Sequence, residues 1–223
     1  MTNESATDCN VTSSRRGFLA SGLAAGPLAL LASSSAAEAS PFSFIQYLSE
    51  AKSVFRSIRS HENAHVTFLL AALGNLARPK PTFQNLKRLT YPQFVTISQA
   101  LANTEVGAYL GAAPYIYDPE YLAAAGSIMT VESRHAGAVN FFEGDPVTIK
   151  NANFDLPLTA QQVVAAAGPF IKSLNGGAAV TYSTTPSSTT TSDSNDVAIL
   201  NFALALEYLE AEFYNANANL YAF

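Results

Sequence analysis

Two short segments constrain this chain more than any other feature: Glu62-Asn63-Ala64-His65 and Glu132-Ser133-Arg134-His135. Each places a carboxylate and an imidazole three residues apart. On a helix, that spacing sets both side chains on one face, about one turn apart. The flanking residues make those faces apolar, with Ile58, Leu69 and Ala72 around the first pair and Ala125, Ile128 and Val139 around the second. A carboxylate aimed into a core needs compensation, because unpaired burial costs several kcal/mol or forces protonation. A metal ion is one such compensation. The chain has only three histidines, His61, His65 and His135, and two of them follow a Glu by three residues. At this Glu content, chance places that Glu before a given His roughly one time in twenty.

The helices carrying these pairs can be delimited. From Phe42 to about Ala77 the pattern is helical, and Gly74 and Pro79 mark its end. Thr90-Tyr91-Pro92 opens the next helix with proline in its first turn. Its stripe runs Ile97, Leu101, Glu105, Ala108, Ala112, so Glu105 also sits among apolar neighbours. Asp118-Pro119-Glu120 is a cap followed by an N1 proline and starts the helix of Glu132 and His135. Residues 143–180 read as loop with one short helix, Thr159 to about Leu174, whose Thr159-x-x-Gln162 is a capping box. A Ser/Thr-rich linker, 181–195, has too few apolar residues to pack. The last helix, 196–217, aligns Leu200, Leu204, Glu207, Ala211 and Tyr214. The expected fold class is therefore all-α, a four-helix bundle with a long, partly disordered connection before its last helix.

Four helices each present an inward Glu: Glu62, Glu105, Glu132 and Glu207. Two of them add His65 and His135. Four carboxylates balance two divalent ions, and mixed imidazole and carboxylate donors suit Fe, Mn or Zn better than Ca or Mg. In the natural division of roles, Glu62 and Glu132 bridge both ions, His65 and Glu207 hold one, and His135 and Glu105 hold the other. His61 is expected to point elsewhere as a surface residue. Glu210 and Glu212 fall off the stripe and are expected to be solvated, with Glu210 as a reserve ligand one turn from Glu207. Tyr109, Phe141 and Tyr214 read as core.

The N-terminus reads as an export signal. Ser14-Arg15-Arg16-Gly17-Phe18-Leu19 is followed by an apolar run to Ala32, and Ala37-Glu38-Ala39 is a small-x-small cleavage site. The twin arginine resembles the signal that moves already folded proteins. The run is too short for a membrane span, and Gly22, Gly26 and Pro27 weaken it further. Residues 1–39 are thus expected to be removed, which leaves residues 40–223 in the periplasm or outside the cell with no stable membrane anchor. The formal charge of -5 and the absence of a basic stripe argue against a nucleic-acid partner. The single cysteine, Cys9, excludes a disulfide framework within the chain.

Four segments carry a resemblance: Ser60–Gly74, Asn103–Ala113, Tyr121–His135 and Ile199–Tyr214. Together they resemble the ferritin-like superfamily, and within it the branch that includes the plant desiccation-related proteins. Glu207 with Tyr214 also looks like the first-helix Glu and Tyr of rubrerythrins and bacterioferritins. The resemblance implies a four-helix bundle around a dinuclear site of two iron ions, or two manganese ions. In that family the helix like Ile199–Tyr214 comes first, whereas here it comes last, so the chain looks circularly permuted. The connection before it could span well over 100 Å at roughly 3.3 Å per residue. It can return the helix to its own bundle or hand it to a second copy in a homodimer.

Two functions from different classes follow. One is an exported di-metal protein acting with O2 or peroxide, either oxidising metal or removing peroxide. The other is a non-enzymatic desiccation or stress protein whose metal site is vestigial.

Overall fold

The computed structural model describes residues 44–88, 90–184 and 192–221. All of these fall in the compact unit Pro41–Phe223. The expected export signal and the middle of the Ser/Thr linker lie outside the described residues. Five helices follow in order: α1 (Phe44–Leu73), α2 (Tyr91–Ala112), α3 (Pro119–Glu143), α4 (Ala160–Ala167) and α5 (Ser192–Tyr221). No described helix is long and apolar enough to cross a membrane.

The helix starts are those their capping residues dictate. Thr90 accepts a hydrogen bond from Gln93 N ahead of Pro92, and Asp118 accepts one from Glu120 N. Each such cap is worth about 1 kcal/mol because it satisfies an orphan N–H of the first turn. Thr159 and Gln162 form the reciprocal capping box of α4. Gly144 ends α3 in the left-handed region, at φ 82°, a conformation that costs glycine nothing.

α1, α2, α3 and α5 make the bundle. α1 packs most extensively on α5, and α2 on α3. The last helix therefore lies against α1 of its own chain. Polar side chains fix it there. Asn201 accepts from Arg78 N and donates to Leu76 O at 2.9 Å, while Asn217 accepts from Arg88 N at 2.9 Å and donates to Leu86 O at 3.0 Å. Buried Asp196 accepts from Tyr117 N and Asp118 N, both at 2.8 Å, and so ties the start of α5 to the start of α3. One end of the core is aromatic. Phe55 of α1 meets Phe94 of α2 edge-on with centroids 4.8 Å apart, and Phe94 stacks on Phe213 of α5 at 5.4 Å. Truncating a ring so placed typically costs about 3–5 kcal/mol.

Three expectations are corrected. The short helix does not reach Leu174. It ends at Ala167, passes through a 3-10 turn at Gly168–Phe170 and becomes a strand, β2 (Ile171–Ser173). β2 pairs antiparallel with β1 (Thr82–Phe83), in the link between α1 and α2. The helix expected from 196 begins at Ser192 and runs to Tyr221. Ala72 and Phe141, read as inward, are exposed, and Leu73 takes the buried position at the end of α1.

α2 also carries two glycines that govern the insertion between α3 and α5. A Cβ on Gly111 would lie 1.8 Å from Leu158 O, and one on Gly107 would lie 2.6 Å from Leu158 Cγ. Leu158 N donates to Gly107 O at 2.8 Å. The chain entering α4 thus lies directly on the bare backbone of α2.

Candidate metal centre

The six residues singled out by spacing come from all four bundle helices, and the fold gathers them at mid-bundle. Glu62 and His65 come from α1, Glu105 from α2, Glu132 and His135 from α3, and Glu207 from α5. His65 Nδ1 lies 3.0 Å from Glu132 Oε1, 3.2 Å from Glu207 Oε2 and 3.6 Å from Glu62 Oε2. His135 Nδ1 lies 2.9 Å from both Glu62 Oε1 and Glu132 Oε2.

The donors form two groups. Glu62, His65, Glu132 and Glu207 can each offer an atom within 4.8 Å of the others, and so can Glu62, Glu105, Glu132 and Glu210. Glu62 and Glu132 belong to both groups. Glu105 groups with Glu210, while His135 contacts the two shared carboxylates.

Glu210 is therefore a correction. It was expected in solvent, but it is 2% exposed and faces the cluster. Its companion Glu212 does reach solvent, where it pairs with Lys80. The reason lies in α5. Every residue from Phe202 to Ala211 is buried, so this helix has no solvent face at mid-length, and a stripe argument cannot sort its side chains. His61 is a second correction. It sits at the surface, but its Nδ1 lies 2.9 Å from His135 Nε2, with the two ring planes nearly parallel at 8°. Tyr109 is buried as expected, yet its hydroxyl also donates to Glu207 Oε1 at 2.7 Å. Nothing in the spacing of His61 or Tyr109 marked these contacts, because each depends on which helix packs opposite.

Burial dominates the electrostatics. It pushes Glu105 and Glu210 well above the usual carboxylate range, the charges of neighbouring carboxylates add to it, and a hydrogen bond with Glu105 partly offsets it at Glu210. Glu207 rises to about 8, chiefly through burial, against the hydrogen bond from His65 and with help from the charges of Glu132 and Glu62. Burial would lower both imidazoles, but carboxylate hydrogen bonds outweigh it. Glu132, Glu207 and Glu62 bring His65 up to about 12, and Glu132 and Glu62 bring His135 up to about 10. Glu62 is the converse, since burial raises it but hydrogen bonds from His135 and His65 hold it below its ordinary value. His61 is lowered by burial and by the charges of His135 and His65.

The residues fit metal cations. Both oxygens of Glu105 and Oε2 of Glu210 are buried with no imidazole or amide donor. Such oxygens are costly unless protonated or bound to a cation. The shared carboxylates at least lie beside imidazoles, whereas Glu105 faces another carboxyl group, Glu210. Oxygen and imidazole donors in this ratio suit first-row transition metals.

A four-helix bundle with a buried carboxylate–imidazole cluster fed by all four helices defines a class of protein. The family model described as the ferritin-like domain matches residues 30–144 and 195–222, more than half of the chain, and the chain belongs to that family. Residues 145–194 lie outside the match. No curated protein and no solved structure matches the chain.

Proposed function

We propose that this chain is an exported ferritin-like protein that holds two iron ions, or two manganese ions, and uses them to oxidise metal or remove peroxide. The observation that carries this reading is the set of five buried carboxylates beside His65 and His135, of which Glu105 and Glu210 have buried oxygens with no imidazole or amide donor. Glu62 and Glu132 would be shared between the ions. His65 and Glu207 would hold one ion, and Glu105 the other, with Glu210 joining it and His135 beside the shared pair. Two adjacent redox-active ions supply electrons in pairs, which suits two-electron reduction of peroxide or stepwise reduction of dioxygen.

The chain's own groups have definable tasks. Tyr109 donates to Glu207 and fixes that carboxylate's rotamer. His61 stands at His135 Nε2, where an imidazole whose other nitrogen faces carboxylates or a metal needs a partner to set its tautomer. The ions must displace protons from Glu105, Glu207 and Glu210, so loading releases protons and strengthens with pH. We take the position of α5 at the end of the chain as a circular permutation within the family. Twin-arginine export would let the bundle fold, and take up metal, before translocation.

A second reading has its own support. His65 and His135 bridge the shared carboxylates directly, so much of the cluster closes on itself as ion pairs without a cation. That arrangement suits a desiccation- or stress-related protein whose site is vestigial. Elemental analysis of the protein purified from its own source separates the two. Iron or manganese near about two per chain, absent from a Glu62→Ala/Glu132→Ala variant, supports the dinuclear reading. A folded wild type that carries no metal and takes up neither Fe²⁺ nor Mn²⁺ overturns it.

A further inference from the structure

The family match stops at residue 144, yet the segment that follows is not a loose appendage. It runs from the end of α3 onto α2 and is fastened along its length. Gln99 Nε2 donates to Asp145 Oδ2 at 2.7 Å, and Asn140 Nδ2 donates to Val147 O at 3.2 Å. Thr148 Oγ1 donates to Ala152 O at 2.7 Å across a 3-10 turn, Ile149–Asn151. Leu158 N donates to Gly107 O at 2.8 Å.

This fastening fixes which side chains face the bundle. Leu158 packs against the core, while the side chains before it face solvent. Among the described residues, the four most exposed large apolar side chains are Leu156, Phe154, Val147 and Phe141, at 61–76%. All four lie on this segment or within a turn of its start, and Ile149 is 53% exposed between them. Apolar residues exposed singly are ordinary, but a concentration of this kind marks a surface that something covers.

The charges indicate what covers it. Asp145, Lys150 and Asp155 are exposed, so one base stands five residues from an acid on either side. Anionic lipid surfaces and nucleic acids attract clusters of Lys and Arg, whereas here acids outnumber the base. A second copy of the chain fits. In a two-fold contact a surface meets itself and must carry its own complement. An axis passing near Ala152 and Asn153 sets Lys150 of each copy against Asp155 of the other, and Ile149 against Leu156. Elsewhere a chain of formal charge -5 repels its copy, which favours contact at a self-complementary place.

We propose that the exposed apolar surface from Phe141 to Leu156 is the two-fold interface of a homodimer of this chain. The contact lies mostly outside the ferritin-like match and needs no metal. It also needs no exchange of α5, which stays on α1 of its own chain.

Sedimentation equilibrium of the full chain and its variants tests this. The wild type is expected at twice the chain mass. Phe154→Ser/Leu156→Ser should be monomeric with unchanged helix content and Tm, since both side chains are exposed. Phe68→Ser/Leu76→Ser, exposed on α1 and just after it, should stay dimeric. Lys150→Glu and Asp155→Lys should each weaken the dimer at least about tenfold, and combining them should restore most of the loss. A wild type that is monomeric at about 0.1 mM overturns the proposal, as does an assembly that survives Phe154→Ser/Leu156→Ser. A monomer that floats with anionic lipid vesicles assigns the surface to a membrane and overturns it too. A combined charge variant as weak as its parents overturns the two-fold pairing.

Discussion

The two ends of the carboxylate row solve the same problem differently. At one end His65 lies among Glu62, Glu132 and Glu207, and the chain supplies its own positive charge. At the other end Glu105 faces Glu210, and His135 reaches only the shared Glu62 and Glu132. The first end is a set of ion pairs, the second a pair of carboxyl groups that burial pushes well above the usual carboxylate range. A cation entering the first end competes with a proton on an imidazole, and one entering the second competes with protons on carboxyl groups. The two ends should therefore differ in affinity, in pH dependence and in what their removal does to stability.

The largest effect expected is from the residues common to both ends. Glu62→Ala/Glu132→Ala should abolish metal uptake, from about two ions per chain to none, by elemental analysis. It also strands His135 without its carboxylates and leaves His65 with Glu207 alone, and breaking buried pairs in this way typically costs about 3–5 kcal/mol. Denaturant unfolding of the metal-free protein measures that cost.

The next pair of variants separates the ends. Glu207→Gln leaves one acceptor oxygen where His65 and Tyr109 each face one, and should destabilise the metal-free protein by about 1–3 kcal/mol. Glu105→Gln replaces a protonated carboxyl group by a neutral amide of the same shape and should change stability by less than about 1 kcal/mol. Yet Glu105→Gln should lower the metal count from about two to about one. Equal stability losses in the two variants would remove the distinction between the ends.

The pH dependence follows from the same groups. Glu207 holds its proton to about 8 in the folded chain, above the ordinary carboxylate value. His65 and His135 hold theirs to about 12 and about 10, above the ordinary imidazole value. In every case the folded state binds more protons than the unfolded state between the two values, so stability falls as pH rises. The stabilising contribution of His65 and His135 is fully present below about pH 6.5 and is lost as pH climbs through their folded values. Thermal unfolding of the metal-free protein from pH 5 to 9 should show a falling Tm. Saturating Mn²⁺ should reverse the slope, because the metal displaces those protons.

Smaller effects come from the surroundings of each end. Gly111→Ala puts a Cβ where Leu158 O now lies, so the insertion must shift off the Glu105–Glu210 end. A cost of about 1–3 kcal/mol is expected, with faster hydrogen exchange confined to α4 and β2. His61→Ala removes an exposed partner of His135 and should cost under about 1 kcal/mol.

The sequence carried the histidine-rich end well. Glu62 with His65, and Glu132 with His135, are i,i+3 pairs on helices with one buried stripe, and such pairs can be read without a partner. Glu210 was hidden by the opposite circumstance. α5 is covered on one side by α1, on another by α2 and on a third by the insertion, so its periodicity vanishes where the site is. The β1–β2 ribbon was hidden because strands of two and three residues are too short to show alternation. The seat of the insertion was written in Gly107 and Gly111, but glycine within a helix announces close approach without saying of what.

The most direct test of the inequivalent, two-ended centre is an anaerobic calorimetric titration of the metal-free protein with Fe²⁺ or Mn²⁺ at pH 7. It should be repeated in buffers of different ionisation enthalpy to count the protons released. The account predicts about two ions per chain, bound in separable steps with different proton release, and loss of one step in Glu105→Gln. No uptake, or a single step that Glu105→Gln leaves unchanged, would contradict it.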